Sequence, residues 1–143
     1  RMNLGVDYNR LVMLIAVLEK RCGIPFWNSD VYINAMGGIK LTEPSVDLAI
    51  CAALASAAND VPIDKFTVLF GEVGLTGEVR PVSYADKRVN ECVKTGFKRV
   101  ILPAKNMKTC KKYEDKIELI PVQYVGRMIK ALTLKPTNPQ GNL

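Results

Sequence analysis

Apolar and polar positions along the chain follow two periods. Tyr8, Leu11, Ile15 and Leu18 recur at helical spacing and mark one face of a first helix ending near Cys22. Val12, Met13, Leu14 and Val17 make that helix apolar nearly all round, which predicts burial on two sides, in the core or against a subunit. Asp7 is placed to cap its start, and Gly23 and Pro25 stop it. Val31, Ile33 and Ala35 then alternate with Tyr32, Asn34 and Met36, the period of a strand. Gly37 and Gly38 turn or bulge it, and Ile39, Lys40 and Leu41 resume the alternation. A second helix is predicted over 46–58, with Thr42 and Ser45 as candidate caps and Pro44 early in its first turn. Glu43 and Asp47 put negative charge where the helix dipole favours it. The helix is rich in small residues, so a neighbouring backbone can approach closely, and Asn59 and Asp60 end it.

The stretch 66–103 organises the rest. It reads as a strand over 66–70, turns at Gly71, Gly74 and Gly77, and a short strand over 78–80 ended by Pro81. Ser83 is placed to cap a helix whose apolar stripe is Ala85, Val89, Cys92 and Val93, closed by Gly96 as the residue after the cap. A strand over 97–102 stops at Pro103. Residues 104–113 are predicted helical, with Lys105, Lys108 and Lys112 on one face and Met107 and Cys110 opposite. A strand over 117–120 follows. Pro121 is then predicted to open a last helix that buries Val122, Val125, Ile129 and Leu132. Strands and helices alternate, yet several strands are short and hairpin-linked, which gives α/β or α+β. One domain over 1–135 and a disordered tail over 136–143 are expected.

Composition changes the picture in a few places. Hydrophobic residues at 48% and charged residues at 24% are those of a globular chain. Histidine is absent, which removes Ser-His and Cys-His catalysis and imidazole metal sites together. Cys22, Cys51, Cys92 and Cys110 form no C-x-x-C pair, which argues against zinc in this segment. Each lies in a predicted helix, consistent with buried, reduced thiols in a cytoplasmic protein. No signal-peptide pattern is visible, and the apolar run 48–58 is too short for a bilayer, which needs about 20 residues. No membrane partner is expected.

Three separated blocks carry a resemblance. One is F-G-E-V-G-L-T-G-E-V-R-P at 70–81 with G-F-K-R-V-I-L-P at 96–103. The others are G-V-D-Y-N-R-L at 5–11 with A-V-L-E-K-R at 16–21, and G-G-I-K-L-T-E-P-S at 37–45. In this order they resemble the Lon-protease-type domain family, in the non-proteolytic version at the C-terminus of RadA/Sms-type bacterial DNA repair proteins. The resemblance covers roughly residues 2–132. It implies an α+β, Lon proteolytic-domain-like fold, with helices packed on a mixed sheet. It also implies a C-terminal piece of a longer chain whose other domains hold zinc, ATP and Mg, with no cofactor in this segment. Partners implied are duplex DNA and further copies of the chain in a ring, hexameric by analogy.

Lon-type peptidases use a serine with a lysine base. Their D-G-P-S-A-G stretch is matched by Thr42-Glu43-Pro44-Ser45-Val46-Asp47, with both glycines replaced by acids. The lysine position falls on Asp86, and the threonine that supports it falls on Phe70. A base must be a neutral amine, and lysine becomes one only when desolvation lowers its pKa. Asp86 cannot take that role, and Lys87 is rotated about 100° around the helix. No catalytic residue is therefore assigned. Ser45 and Asp86 are degenerate dyad positions, and Ser45 is expected to cap its helix. Residual peptidase action would need Lys40 or Lys87 as an unorthodox base. The G-x-x-x-x-G-K-[ST] phosphate loop is also absent.

Net charge is +6 and unevenly placed. Residues 80–116 carry eleven Lys/Arg and four Asp/Glu, while the remainder carries nine and ten. The whole excess therefore sits in one quarter of the chain, as a surface for phosphate backbones requires. The DNA-binding candidates are Arg80, Lys87, Arg88, Lys94, Lys98, Arg99, Lys105, Lys108, Lys111 and Lys112. Few aromatics are interleaved with them, which favours duplex backbone contact over single-strand stacking. A purely structural ring scaffold is the remaining alternative.

Overall fold

The computed structural model describes residues 2–134, and the expected tail over 136–143 lies outside them. The elements in order are β1 (Met2–Leu4), α1 (Tyr8–Cys22), β2 (Tyr32–Asn34), α2 (Asp47–Asn59), β3 (Thr67–Leu69), β4 (Glu72–Val73) and β5 (Val79–Arg80). They continue with α3 (Ala85–Lys94), β6 (Arg99–Pro103), α4 (Met107–Cys110), β7 (Glu118–Val122) and α5 (Val125–Ala131). The class is α+β. The strands form three small sheets: parallel β1–β2, parallel β3–β6–β7, and the antiparallel hairpin β4–β5.

The three-stranded sheet divides the interior. Alternation along β6 sends Ile101 into a core with residues of α1, α2 and α5. Val100 and Leu102 point the other way, into a second core with Ala85, Val89 and Cys92 of α3 and Cys110 of α4. Two parallel crossovers, β3 to β6 through α3 and β6 to β7 through α4, place both helices on that second face.

Local chemistry sets several boundaries. The Asp7 carboxylate accepts from the Arg10 amide at 3.0 Å and opens α1, and Gly23 closes it in the left-handed region at φ 66°. Past α3, the Gly96 amide reaches the Val93 carbonyl at 3.3 Å, and the Phe97 amide reaches that of Cys92 at 3.0 Å. That doubled closure is the Schellman motif, with Gly96 at φ 88°. Gly5 is required by closeness, since a Cβ there would lie 2.5 Å from the Ile39 carbonyl oxygen.

Other expectations are corrected. Residues 39–41 form no strand; only a parallel bridge joins Leu41 to Val6, because Gly37 and Gly38 turn the chain first. Residues 104–113 are three short turns rather than one helix: Ala104–Asn106, Met107–Cys110 and Lys111–Tyr113. The Asn106 side chain pins the first turn by accepting from the Val82 amide and donating to the Val82 carbonyl, at 2.9 and 3.1 Å. Pro121 opens no helix. It sits inside β7, an edge strand where its missing N–H costs no ladder bond, and Val122 is a strand residue. Tyr8 is 51% exposed, and α1 buries Leu11, Leu14, Ile15, Val17 and Leu18 instead. Ser83 caps nothing, because Tyr84 takes that position with φ 58°.

Cys51, Cys92 and Cys110 are buried free thiols. Among the described residues, no helix is long and apolar enough to cross a membrane.

Candidate nucleic-acid interface

A tight turn over Pro44–Val46 precedes α2. The Ser45 carbonyl accepts from the Gly71 amide at 2.8 Å, and the Gly71 carbonyl accepts from that of Leu48 at 3.0 Å. The start of α2 is thereby laced to the segment joining β3 and β4. Ser45 is buried, yet neither it nor Thr42 caps the helix. The Ser45 hydroxyl instead donates to Glu43 at 2.9 Å, and Arg88 donates to the same oxygen at 3.3 Å. The capping expectation fails because Ser45 lies inside the Pro44–Val46 turn, past the extended Glu43 that holds the cap position, and its hydroxyl is turned to donate to Glu43.

The Ser45 hydroxyl, and then Arg88, hold the Glu43 carboxyl below its ordinary pKa. The proton acceptor bonded to Ser45 is thus a carboxylate made less basic than usual. A cleft of about 230 Å³ lies here, lined in part by Glu43, Ser45, Glu72, Ser83 and Arg88. Asp86 turns away to Lys112 at 3.8 Å, and Lys87 stands 5.0 Å over the Tyr84 ring. Lys40 lines a different cleft with Asp7 and Arg10.

Asp47 is the residue that sequence reasoning missed here. It is fully buried, and both of its oxygens accept from Arg10 of α1, one from Nε and one from Nη2 at 2.8 Å. It also accepts from the Val73 amide at 3.0 Å. One carboxylate therefore ties α1, α2 and β4 together, and its bond to Arg10 raises the guanidinium pKa further. The available signal was a charge at the head of an otherwise alanine-rich apolar helix.

The ten basic candidates separate by environment. Lys87, Arg88 and Lys94 are on α3, and Lys105, Lys108, Lys111 and Lys112 lie along the α4 turns, on the layer that closes the second core. Lys98 stands at the entry of β6, where its amide and carbonyl join the ladder edges. Lys94, Lys98, Lys105, Lys108 and Lys111 have no carboxylate within 4.0 Å among the described residues. Arg88 and Lys112 carry exposed ion pairs, which solvent screens and another anion easily replaces.

Two candidates stand apart. Arg80 faces Glu72 across the hairpin at 3.8 Å and Glu78 on its own arm at 3.2 Å. Glu78 also accepts from the Thr76 hydroxyl at 2.7 Å, and that bond above all takes its pKa down to about 2. Gly74 leaves room for it, since a Cβ there would collide with the Glu78 carboxylate. Arg99 shares the Ile101 side of the sheet, away from α3 and α4, and donates to Thr67 at 3.0 and 3.1 Å.

Against known proteins, the family model described as subunit ChlI of Mg-chelatase matches residues 13–106. The DNA repair protein RadA of Halalkalibacterium halodurans is 52% identical over 107 residues, 75% of this chain and 23% of that protein. RadA of Bacillus subtilis is 47% identical over 130 residues, 91% of this chain and 28% of the relative. RadA of Listeria monocytogenes is 42% identical over the same length, with the same two shares. The chain spans about a quarter of the length of these curated relatives.

Proposed function

We propose, since the chain belongs to the family of the DNA repair protein RadA, that this segment is a non-proteolytic, Lon-like domain serving DNA repair by charge and shape. Its α3–α4 layer contacts the backbone of duplex DNA without reading sequence, and the domain assembles with further copies into a ring. ATP, Mg and zinc belong to other parts of the longer protein, whose ATPase activity this domain supports. The site of action is cytoplasmic.

One observation carries the DNA half. Six lysines of the α3–α4 layer and the entry to β6, Lys87 among them, lack a carboxylate within 4.0 Å among the described residues, so their neutralising anion comes from solution. Phosphates supply it while releasing condensed counterions, which drives sequence-independent binding. Exposed apolar residues support the assembly half. Tyr8, Val12 and Ala16 form a solvent-facing stripe on α1 at four-residue spacing. Met2, Leu4 and Tyr32 stand exposed on β1 and β2, with Met2 directly opposite Tyr32. A ring multiplies weak sites by avidity. Peptidase action is disfavoured by the same geometry that bonds Ser45 to a weakened base.

The test is a titration of duplex DNA into the chain over a salt series, with light scattering on the same samples. Binding that weakens steeply with salt, by a slope of about −0.9 per phosphate contacted, together with particles larger than one chain, is expected. Large particles with no duplex binding at low salt would select the scaffold reading instead.

A further inference from the structure

The α3–α4 layer leaves the far edge of the three-stranded sheet without a role. There the passage from β7 into α5 opens a cleft of about 640 Å³, whose lining includes Ala104, Pro121, Gln123, Tyr124, Arg127 and Lys130. Among the described residues the lining holds two cations and no carboxylate. Arg127 and Lys130 are three residues apart on one helix, so they present their charges side by side. Neither has a carboxylate within 4.0 Å among the described residues. Tyr124 stands with them, 54% exposed, while its backbone is fixed by a bridge to Glu78 and by the Arg127 amide at 3.0 Å.

An exposed aromatic ring on a fixed backbone, lining one cleft with two uncompensated cations, supplies the elements of single-strand recognition: a π-face for a base and charges for its phosphates. Duplex bases are already stacked and cannot use such a ring, so the unpaired form is selected. Pro121 removes an N–H from this edge, which works against a peptide adding as a further strand. The cleft wall at Ala104 leads directly into Lys105 of the basic layer, which gives a strand leaving a duplex a short path to it.

We propose that this cleft holds a single-stranded nucleic-acid segment, with a base stacked on Tyr124 and its phosphates on Arg127 and Lys130. Gln123 offers an amide to base edges. The inference stands on these residues alone and does not require the α3–α4 layer to hold duplex.

The test uses a fluorescein-labelled oligothymidylate of about twelve nucleotides, read by anisotropy over a salt series, with a duplex measured in parallel. Tyr124→Ala is expected to weaken oligothymidylate binding about five- to a hundredfold, and Tyr124→Phe to retain it. Arg127→Glu with Lys130→Glu, both at the surface, should also weaken it and flatten the salt slope by about 1.4. Duplex affinity should stay unchanged in all three. No binding by the unmodified chain, parental affinity in Tyr124→Ala, or displacement by polyglutamate with no effect of Tyr124→Ala would overturn the proposal. A chain that binds oligothymidylate through Tyr124 but not duplex would sink the reading of the basic layer and keep the cleft.

Discussion

The two faces of the β3–β6–β7 sheet are covered by layers that differ in what holds them and in what they show to solvent. On the Ile101 side, α1 and α2 are joined by the bond from half-buried Arg10 to buried Asp47, and exposed apolar residues recur along α1. On the Leu102 side, the core of α3 and α4 is built from apolar side chains and two thiols, and its outer surface carries most of the unpaired lysines. The charge tally agrees: residues 80–116 hold a surplus of seven, and the rest of the chain a deficit of one. One sheet thus separates an electrostatic surface from an apolar one. Under the proposed function, the first surface serves DNA contact and the second assembly.

Removing Asp47 is expected to have the largest effect. Asp47→Ala strands the Arg10 guanidinium and the Val73 amide, and should lower unfolding free energy by about 3–5 kcal/mol in a denaturant titration. An effect below about 1 kcal/mol would show that the pair does not hold that layer. Leu102→Ala tests the other side. It should cost about 2–5 kcal/mol and also expose Cys110 to iodoacetamide near neutral pH. In the parent, burial raises the Cys92 and Cys110 thiols above their ordinary pKa, so the reactive thiolate is scarce and neither should be alkylated. Ile101→Ala should destabilise similarly without opening Cys110 first.

The smallest effect concerns pH. The Glu78 carboxyl titrates at about 2 in the folded chain, against about 4.3 when unfolded. Its contribution is therefore fully present above the unfolded value and is lost as pH falls toward the folded one. Glu78→Gln should flatten the acid side of a melting-temperature profile within that window, while leaving the profile above pH 5 in place. Unchanged acid dependence would mean that the hairpin bonds around Thr76 add nothing to stability.

What was legible in the sequence was mostly local. Asp7, Gly23 and Gly96 act through their own backbone neighbourhood, and each does what its position predicts. The burial of Val89 and Cys92 followed from helical spacing in the same way. What escaped depended on distant partners. β1 is three residues long, and it is a strand only because Tyr32–Asn34 lies alongside. Pro121 read as a helix start because its tolerance on an edge strand depends on the order of strands. Asp47 read as a dipole partner because nothing local points to Arg10, which lies 37 residues away. Among the basic candidates, charge density located the layer. It could not separate Arg99, which the strand period sends to the opposite face, or Arg80, which two acids hold.

The most direct measurement compares two charge reversals of equal size. One carries Lys105→Glu, Lys108→Glu and Lys111→Glu on the α4 turns. The other carries Lys20→Glu, Lys40→Glu and Lys65→Glu, all exposed and outside that layer. Both change net charge equally, so bulk electrostatics cannot distinguish them. Duplex affinity over a salt series should collapse in the first, with the slope falling by about 2.7 for three lost phosphate contacts, and stay near the parent in the second. Equal losses in the two, or a greater loss in the second, would contradict a DNA surface on the α3–α4 layer.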